Sequence, residues 1–228
     1  MSNLSALSSL APGHGHATRA TRPLLLGLAL AVATGVPWIV TAVRVVQIPM
    51  GAWPDEAQRL AVAPLAWFLH ALAGLLFGAL GPLQFVRALR RRFGALHRLA
   101  GWAFVLAGAG LSLSGSALLL QVDSMASWSL AAARAALGMA LMGALVQAVS
   151  AARARDLRRH QAWMIRAYAI GMGTTTVWLV ALPFALVTGE PLQPPASDLA
   201  LLGMWLLSIA VGEAVVRRLA LRHSREGA

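Results

Sequence analysis

The sequence predicts an all-α integral membrane protein built as a bundle of six transmembrane helices. Of its 228 residues, 58% are hydrophobic and only 12% are charged, whereas soluble domains carry about 25% charged residues. Six stretches reach the roughly 20 mostly apolar residues that cross a bilayer core, and the connections between them are too short to hold a soluble domain. Lipid offers the backbone no hydrogen-bond partner, so each stretch is expected to be a helix.

Charged or turn-forming residues bound each apolar stretch in turn. The predicted spans are Pro23–Ile48, Leu60–Val86, Leu99–Gln121, Trp128–Val149, Ala162–Val187 and Leu199–Val216. The first span is too long for a signal-peptide core and no small-residue cleavage site follows it, so it is expected to remain as an anchor. Residues 1–22 are expected to be a disordered tail, residues 23–217 the membrane domain, and residues 218–228 a basic tail.

The charge distribution predicts the orientation. All 19 basic residues are arginines, and most lie in the N-terminal tail, the loops around residues 87–98 and 153–159, and the C-terminus. In a six-span chain these regions share one side, and the acidic residues concentrate on the other. Basic loops stay cytoplasmic, so both termini are expected inside, in a bacterial inner membrane. The net charge of +11 is then an attraction to anionic headgroups, and nucleic acid is not an expected partner.

Several kinds of chemistry are excluded or unsupported by composition. The chain has no cysteine, which rules out disulfides, thiolate metal sites and iron–sulfur clusters. No nucleophile–base constellation and no phosphate loop stands out. Whether the protein is an enzyme therefore stays open, and so does its oligomeric state.

An internal repeat is predicted from two pairs of polar residues. Gln84 precedes His97 by thirteen residues, and Gln147 precedes His160 by the same interval. Each glutamine ends an inward span, and each histidine opens the outward span that follows an arginine-rich loop. Spans two–three and four–five would then be two copies of one hairpin in the same orientation, related by an axis along the membrane normal.

Small residues stand one turn from the histidines. His97 shares a helix face with Gly101, and His160 shares one with Met164. Close helix packing explains such a stripe by itself. The alternative is that the histidine and the small residue beside it leave a slot for a flat ligand such as haem.

The central spans resemble a bacterial membrane-protein family, domain of unknown function 2306. The resemblance rests on HALAGLLFGALGPLQFVRALRRRFGALHRLAGWAFV and HQAWMIRAYAI. The matching positions are His70, Gly81, Pro82, Gln84, Phe85, His97, Arg98, Gly101, His160, Trp163, Met164 and Arg166. The resemblance covers spans two to five and implies a membrane bundle without a defined activity. A looser similarity is to small membrane cytochromes of the b type, which implies haem b held by histidines.

The histidines suggest where haem would bind. Bis-histidine ligation needs two residues on facing helices at matching depth. His97 and His160 meet this condition near the cytoplasmic end and are the predicted iron ligands, with Arg98 as a partner for propionates. His70 lies in the outer half without a second histidine beside it, so a two-haem arrangement is not expected. Its Gly-rich helix face predicts that it points into the bundle.

Two arginines lie inside predicted spans, where a charge is costly. Arg166 is expected to reach either the inner headgroups or Glu213, and Arg134 to reach the outer surface. Alternatively, Arg134, Arg44 and His70 form an outer polar pocket for a haem propionate, a quinone carbonyl or a carboxylate, with hydroxyls from the run of threonines at 174–176.

Three classes of function follow from these residues. The first is a redox protein that binds haem or quinone through the inner histidine pair, with Gln84, Gln147, His70, Arg98, Arg134 and Arg166 as further site residues. The second is a structural or assembly protein in which these side chains only fix loops to headgroups. The third is a small transporter. Transport is disfavoured because no predicted span is broken at mid-membrane.

Overall fold

The computed structural model describes residues 35, 37–53, 55–122 and 127–226, and all regular structure within these ranges is helical. A helical segment at 37–47 (α1) is followed by a 3-10 helix, Asp55–Val62, and by α2, Pro64–Phe85. The remaining elements are α3 Arg87–Arg92, α4 Gly94–Gln121, α5 Trp128–Arg153, α6 Leu157–Met172, a 3-10 helix Gly173–Val177, α7 Trp178–Thr188 and α8 Ala196–Glu226.

Five helices in the described part of the chain are long and apolar enough to cross a membrane. They are Pro64–Phe85, Gly94–Gln121, Trp128–Arg153, Leu157–Thr188 and Ala196–Leu221. These correspond to the second to sixth predicted spans. The 1–22 tail and much of the first predicted span lie outside the described residues, so the first span, and with it the total of six and the position of the N-terminus, stay predictions.

The helices begin before the apolar spans do. Many of the arginines lie in or beside two connections, residues 86–93 and 154–156. The helices that follow these connections already include the predicted site histidines, His97 near the start of α4 and His160 near the start of α6. α2 starts at Pro64, whose fixed φ and missing N–H suit the first helical position. We call the end of the bundle formed by residues 87–98 and 153–159 the arginine-rich end, and the opposite end, where α5 and α8 begin, the far end.

Two antiparallel hairpins form the centre of the bundle. α2 packs along α4, α5 packs along α6, and α4 joins the hairpins through its contact with α5. Phe77 is the central side chain: it is fully buried and stacks on Phe104 with ring centroids 4.3 Å apart. Its ring meets both Gly108 and Gly171, where a Cβ atom would approach it to less than 3 Å. These glycines hold equivalent places in the predicted repeat.

Regular α-helical geometry is interrupted within the fifth span, although Leu157–Thr188 still form one continuous helical span. α6 ends at Met172, and Gly173–Val177 form a 3-10 turn before α7 continues. The hydroxyl of Thr176 donates to the Gly173 carbonyl at 2.6 Å and lies 3.2 Å from the Met204 carbonyl. Such side-chain bonds to the preceding turn compete with regular helix geometry, so the threonine run favours the break.

α8 packs against this interrupted span and bonds to its backbone. The Trp205 indole N–H donates to the Ile170 carbonyl at 2.7 Å, and the Ser208 hydroxyl donates to the Ala169 carbonyl at 2.9 Å. Trp205 lies so close to Gly173 that no side chain fits between them. Irregular backbone is tolerated in a membrane where protein groups satisfy it, and α8 supplies these groups.

Candidate functional site

A cavity of about 300 Å³ opens in the half of the bundle nearer the far end. Most of its wall is apolar, from side chains of α4, α5, α6 and α8. The polar wall residues are Arg59, His70, Ser112, Ser116, Arg134 and Thr174. We call it the far-end cavity. Ligand pockets are typically concave and mainly apolar with a few placed polar groups, and this cavity has that composition.

His70 of α2 is held in one orientation by α4. The hydroxyl hydrogen of Ser114 is donated to the Gly110 carbonyl at 2.6 Å. A hydroxyl has a single hydrogen, so His70 Nδ1, 3.2 Å from the same oxygen, is the donor in their contact. In a neutral imidazole Nε2 is then the acceptor. The Leu111 carbonyl also acts on the ring, and no hydrogen bond from a described residue to Nε2 is seen.

Gly115 lets the imidazole lie close to α4. A Cβ atom at this position would stand 3.3 Å from His70 Cε1. Ser112 strengthens the same region by donating to the Gly138 carbonyl of α5 at 2.7 Å. The polar wall is therefore fixed by interhelical hydrogen bonds.

Arg134 supplies positive charge to the cavity from α5. Its guanidinium makes no hydrogen bond and no ion pair with any residue that the structure describes. The acidic group that acts on it electrostatically is Asp198, but this carboxylate accepts the Ser127 backbone N–H at 3.0 Å. Arg59, which also lines the cavity, adds a second positive charge. Among the described residues that line the cavity, Arg59 and Arg134 are cationic and none is acidic.

A second cavity of about 210 Å³ adjoins the first on the side of α1. The two share His70, Leu111, Gly171 and Thr174 in their walls. Arg44 lines the second cavity and donates to the Gln47 side-chain oxygen at 2.7 Å. The outer residues proposed from the sequence thus surround two neighbouring cavities, with His70 and Thr174 between them.

The predicted inner histidines lie at the arginine-rich end, within electrostatic range of each other. His160 Nδ1 is 2.8 Å from the Ala148 carbonyl oxygen and so donates to it. His97 Nδ1 is buried without a partner among the described residues. The slot expected beside Gly101 holds the Gln84 amide, whose oxygen is 3.2 Å from where a Cβ of Gly101 would stand. Met164, the other expected wall, is buried in the core.

The other predicted site residues have protein partners or lie outside both cavities. Arg159 donates to the Gln147 side-chain oxygen at 2.7 Å. Arg166 donates two hydrogen bonds to Glu213, at 2.9 and 3.1 Å, and lies over the Trp163 ring. Arg98 is exposed near the start of α4. Of the two destinations expected for Arg166, the structure therefore has Glu213.

Sequence reasoning missed Trp205 and the role of Arg59. Arg59 directly precedes the second predicted span, and nothing in the sequence places the 3-10 helix Asp55–Val62 against the cavity. Trp205 stands in an apolar span where an aromatic residue carries no special signal. Its indole N–H was the available clue, since a buried tryptophan usually needs a hydrogen-bond acceptor.

Comparison with known proteins adds one match. The model of the family described as "Predicted membrane protein (DUF2306)" matches residues 67–216, which include α2 from Trp67 onwards, α4 to α7 and most of α8. No curated protein and no solved structure matches the chain.

Proposed function

The chain belongs to the DUF2306 family of multi-pass membrane proteins, and from that premise we propose that it binds a quinone or quinol headgroup in the far-end cavity. The observation that carries the proposal is the pairing of Arg134 with His70 in one mainly apolar wall. The sequence predicts a carbonyl or carboxylate ligand for these two residues, and the hydrogen-bonding state of His70 narrows this prediction to a ligand that also donates a hydrogen bond.

The two polar groups ask for different partners. Arg134 only donates hydrogen bonds, so it requires a carbonyl or carboxylate oxygen. Neutral His70 accepts at Nε2, so it requires a hydroxyl or an N–H group. A quinol presents hydroxyls on a flat apolar ring, and its oxidised form presents carbonyls at the same places. Thr174, whose hydroxyl both donates and accepts, suits either form.

The size and position of the cavity support a single substituted ring. A volume of about 300 Å³ lies at the lower limit of ordinary small-molecule sites. The apolar wall from Leu111, Leu137, Leu141 and Trp205 would cover the ring faces. An arginine within a span carries a large cost unless it has a partner or reaches water, and a ligand oxygen would provide Arg134 with one.

Haem b, expected from His97 and His160, fits the arginine-rich end poorly. The Gln84 amide occupies the space beside Gly101, and Met164 belongs to the packed core. His160 keeps Nε2 for a ligand, but a flat macrocycle between the histidines requires both walls to open. We therefore propose no haem-dependent activity for this protein.

The finer topology belongs to the same proposal. We place both termini at the arginine-rich end, on the cytoplasmic face of a bacterial inner membrane, with a sixth span formed by residues 23–48. The arginine distribution supports the orientation. The repeat of α2–α4 and α5–α6 is supported by the equivalent glycines that meet Phe77.

The test is to titrate purified protein in lipid nanodiscs with a short-chain ubiquinone and, separately, with its quinol. Calorimetry measures the heat of binding. We expect saturable binding of one molecule per chain. The Arg134→Gln variant is expected to bind the quinone at least about tenfold more weakly, since a hydrogen bond to a charged group contributes about 1.5–3 kcal/mol. Arg158→Gln, at the arginine-rich end, is the matched control and should leave the affinity unchanged.

Two outcomes would overturn the proposal: no saturable binding by the wild-type protein, or equal affinities for wild type and Arg134→Gln. The first would favour the structural or assembly alternative. An absorbance spectrum of the same preparation, oxidised and dithionite-reduced, tests haem separately. A Soret band lost in both His97→Ala and His160→Ala would restore the haem hypothesis.

Transport is a second candidate function, favoured by the 3-10 turn Gly173–Val177 next to the cavity. Discontinuous membrane helices often line substrate sites in transporters, and Thr174 of this turn belongs to both cavity walls. Proteoliposomes loaded with a pH-sensitive dye would report the flux of a small carboxylic acid. Flux abolished by Arg134→Gln would favour transport over binding alone.

A further inference from the structure

The starts of α4 and α6 lie at the arginine-rich end, and each has a histidine thirteen residues after a glutamine. The polar side chains around the two histidines have different protein partners. At the start of α6 the side chains of Asp156, Arg159 and His160 all have protein partners. The Asp156 carboxylate accepts the Arg159 backbone N–H at 3.0 Å, and Arg159 in turn donates from its guanidinium to Gln147 at 2.7 Å. His160 donates to the Ala148 carbonyl at 2.8 Å.

The start of α4 lacks each of these partners. In the register that aligns Gln84 with Gln147, Phe93 stands where Asp156 stands and Leu96 where Arg159 stands. Phe93 makes no side-chain hydrogen bond to the helix. Gln84 Nε2 and His97 Nδ1 are both buried without a partner among the described residues.

An unpartnered buried amide indicates a missing acceptor. Gln84 is only 9% exposed, and its side chain lies against Gly101, one helical turn beyond His97. Buried polar groups nearly always have a hydrogen-bond partner from protein, water or ligand. The amide nitrogen of Gln84 is a donor, so the absent partner must present an oxygen acceptor between α2 and α4.

The surroundings favour an acceptor that is also an anion. Arg90 and Arg98 act electrostatically on His97. The first backbone N–H groups of α4 have no side-chain cap, and the start of a helix attracts negative charge. At the start of α6 the Asp156 carboxylate supplies that charge. At α4 no residue in the described part of the chain supplies such a charge.

We propose that the headgroup of an anionic glycerophospholipid binds at the start of α4. Its phosphate would meet the first turn of α4, His97 and Arg98, and an ester carbonyl would accept from Gln84 deeper between α2 and α4. Gly101 lies four residues beyond His97, about 6 Å at the helical rise. A ligand must therefore present acceptors at two depths, which a glycerophospholipid does and an inorganic phosphate does not. Basic pockets between membrane helices bind such headgroups.

The experiment measures thermal unfolding of delipidated, detergent-solubilised protein with added phosphatidylglycerol, phosphatidylcholine or inorganic phosphate. We expect phosphatidylglycerol to raise the Tm of the wild-type protein by at least about 3 °C, and the other two additions to raise it by less. Gln84→Leu should lose most of this shift. Gln147→Leu is the matched control, because it changes the equivalent residue of the other hairpin, and it should keep the shift.

A merely structural role for Gln84 predicts that Gln84→Leu unfolds at a lower temperature than the wild-type protein even without lipid. Under the proposal, Gln84→Leu unfolds in lipid-free detergent at the wild-type temperature or above it, because it removes an unsatisfied buried amide. If that variant fails to fold, His97→Leu provides the same comparison. An undiminished phosphatidylglycerol shift in the folded variant would overturn the site. An equal shift with inorganic phosphate would overturn its assignment to a lipid.

Discussion

Replacing Gly173 with alanine should destabilise the protein through one contact with Trp205. The backbone at Gly173 has φ −57° and ψ −38°, which alanine adopts without strain, so the effect is purely steric. The added Cβ would overlap the Trp205 indole, whose N–H donates to the Ile170 carbonyl at 2.7 Å. The ring must swing away and give up this hydrogen bond.

The expected magnitude follows from these two losses. Overpacking in a filled core costs about 1–3 kcal/mol, and an unsatisfied buried donor costs about 1–3 kcal/mol more. Alanine regains about 1 kcal/mol over glycine in helical backbone. The net loss in the free energy of unfolding is therefore about 1–5 kcal/mol, or roughly 2–20 °C in Tm. Because Trp205 lines the far-end cavity, ligand binding there should weaken as well.

Thermal unfolding in detergent, followed by circular dichroism, measures this effect. Gly203→Ala is the matched control, since Gly203 lies in α8 near Trp205 and a Cβ there meets nothing within 4 Å. It should be neutral or slightly stabilising. A Gly173→Ala protein as stable as Gly203→Ala would refute the steric reasoning.

Three further changes test other parts of the fold. Glu213→Gln should lower the free energy of unfolding by about 1–3 kcal/mol, because it leaves Arg166 without its ion-pair partner; a double-mutant cycle with Arg166→Gln measures the coupling, and a coupling energy near zero would contradict it. Phe77→Ala should cost about 3–5 kcal/mol, since the ring is fully buried, and chemical denaturation measures it; a loss below 1 kcal/mol would show that the core collapses around the gap. Topology reporters inserted after Arg92 and after Pro191 should report the cytoplasm and the outside respectively, and a reversal at either site would contradict the orientation.

The sequence predicted those elements that depend on apolar length alone. Five spans match helices of the structure because the bilayer requires about 20 apolar residues from each. The glycine face of His70 correctly indicated a side chain turned toward α4. An ion pair between Arg166 and Glu213 was one of the two alternatives predicted for Arg166, because a charge within a span usually pairs with an opposite charge.

The remaining features depend on three-dimensional packing that spacing does not specify. Gly101 indicated space beside His97, but the sequence could not show that Gln84 from another helix fills it. The hydropathy of the fifth span does not reveal the 3-10 turn at Gly173–Val177, because the apolar run continues through it. Its signal was the glycine followed by three threonines, whose hydroxyls bond to the preceding turn.

The hydrogen bonds from α8 to the interrupted fifth span have a consequence for how the protein is made. During synthesis the fifth span leaves the ribosome before α8 exists, so the carbonyls of Ala169 and Ile170 enter the bilayer without Ser208 and Trp205. The Ile170 carbonyl keeps the Gly173 backbone N–H as a partner, but the 3-10 turn lacks the hydrogen bonds from α8 until the last helix arrives. A nascent chain halted before residue 205 should therefore be recognised by quality-control proteases, although four of the five described spans are already present.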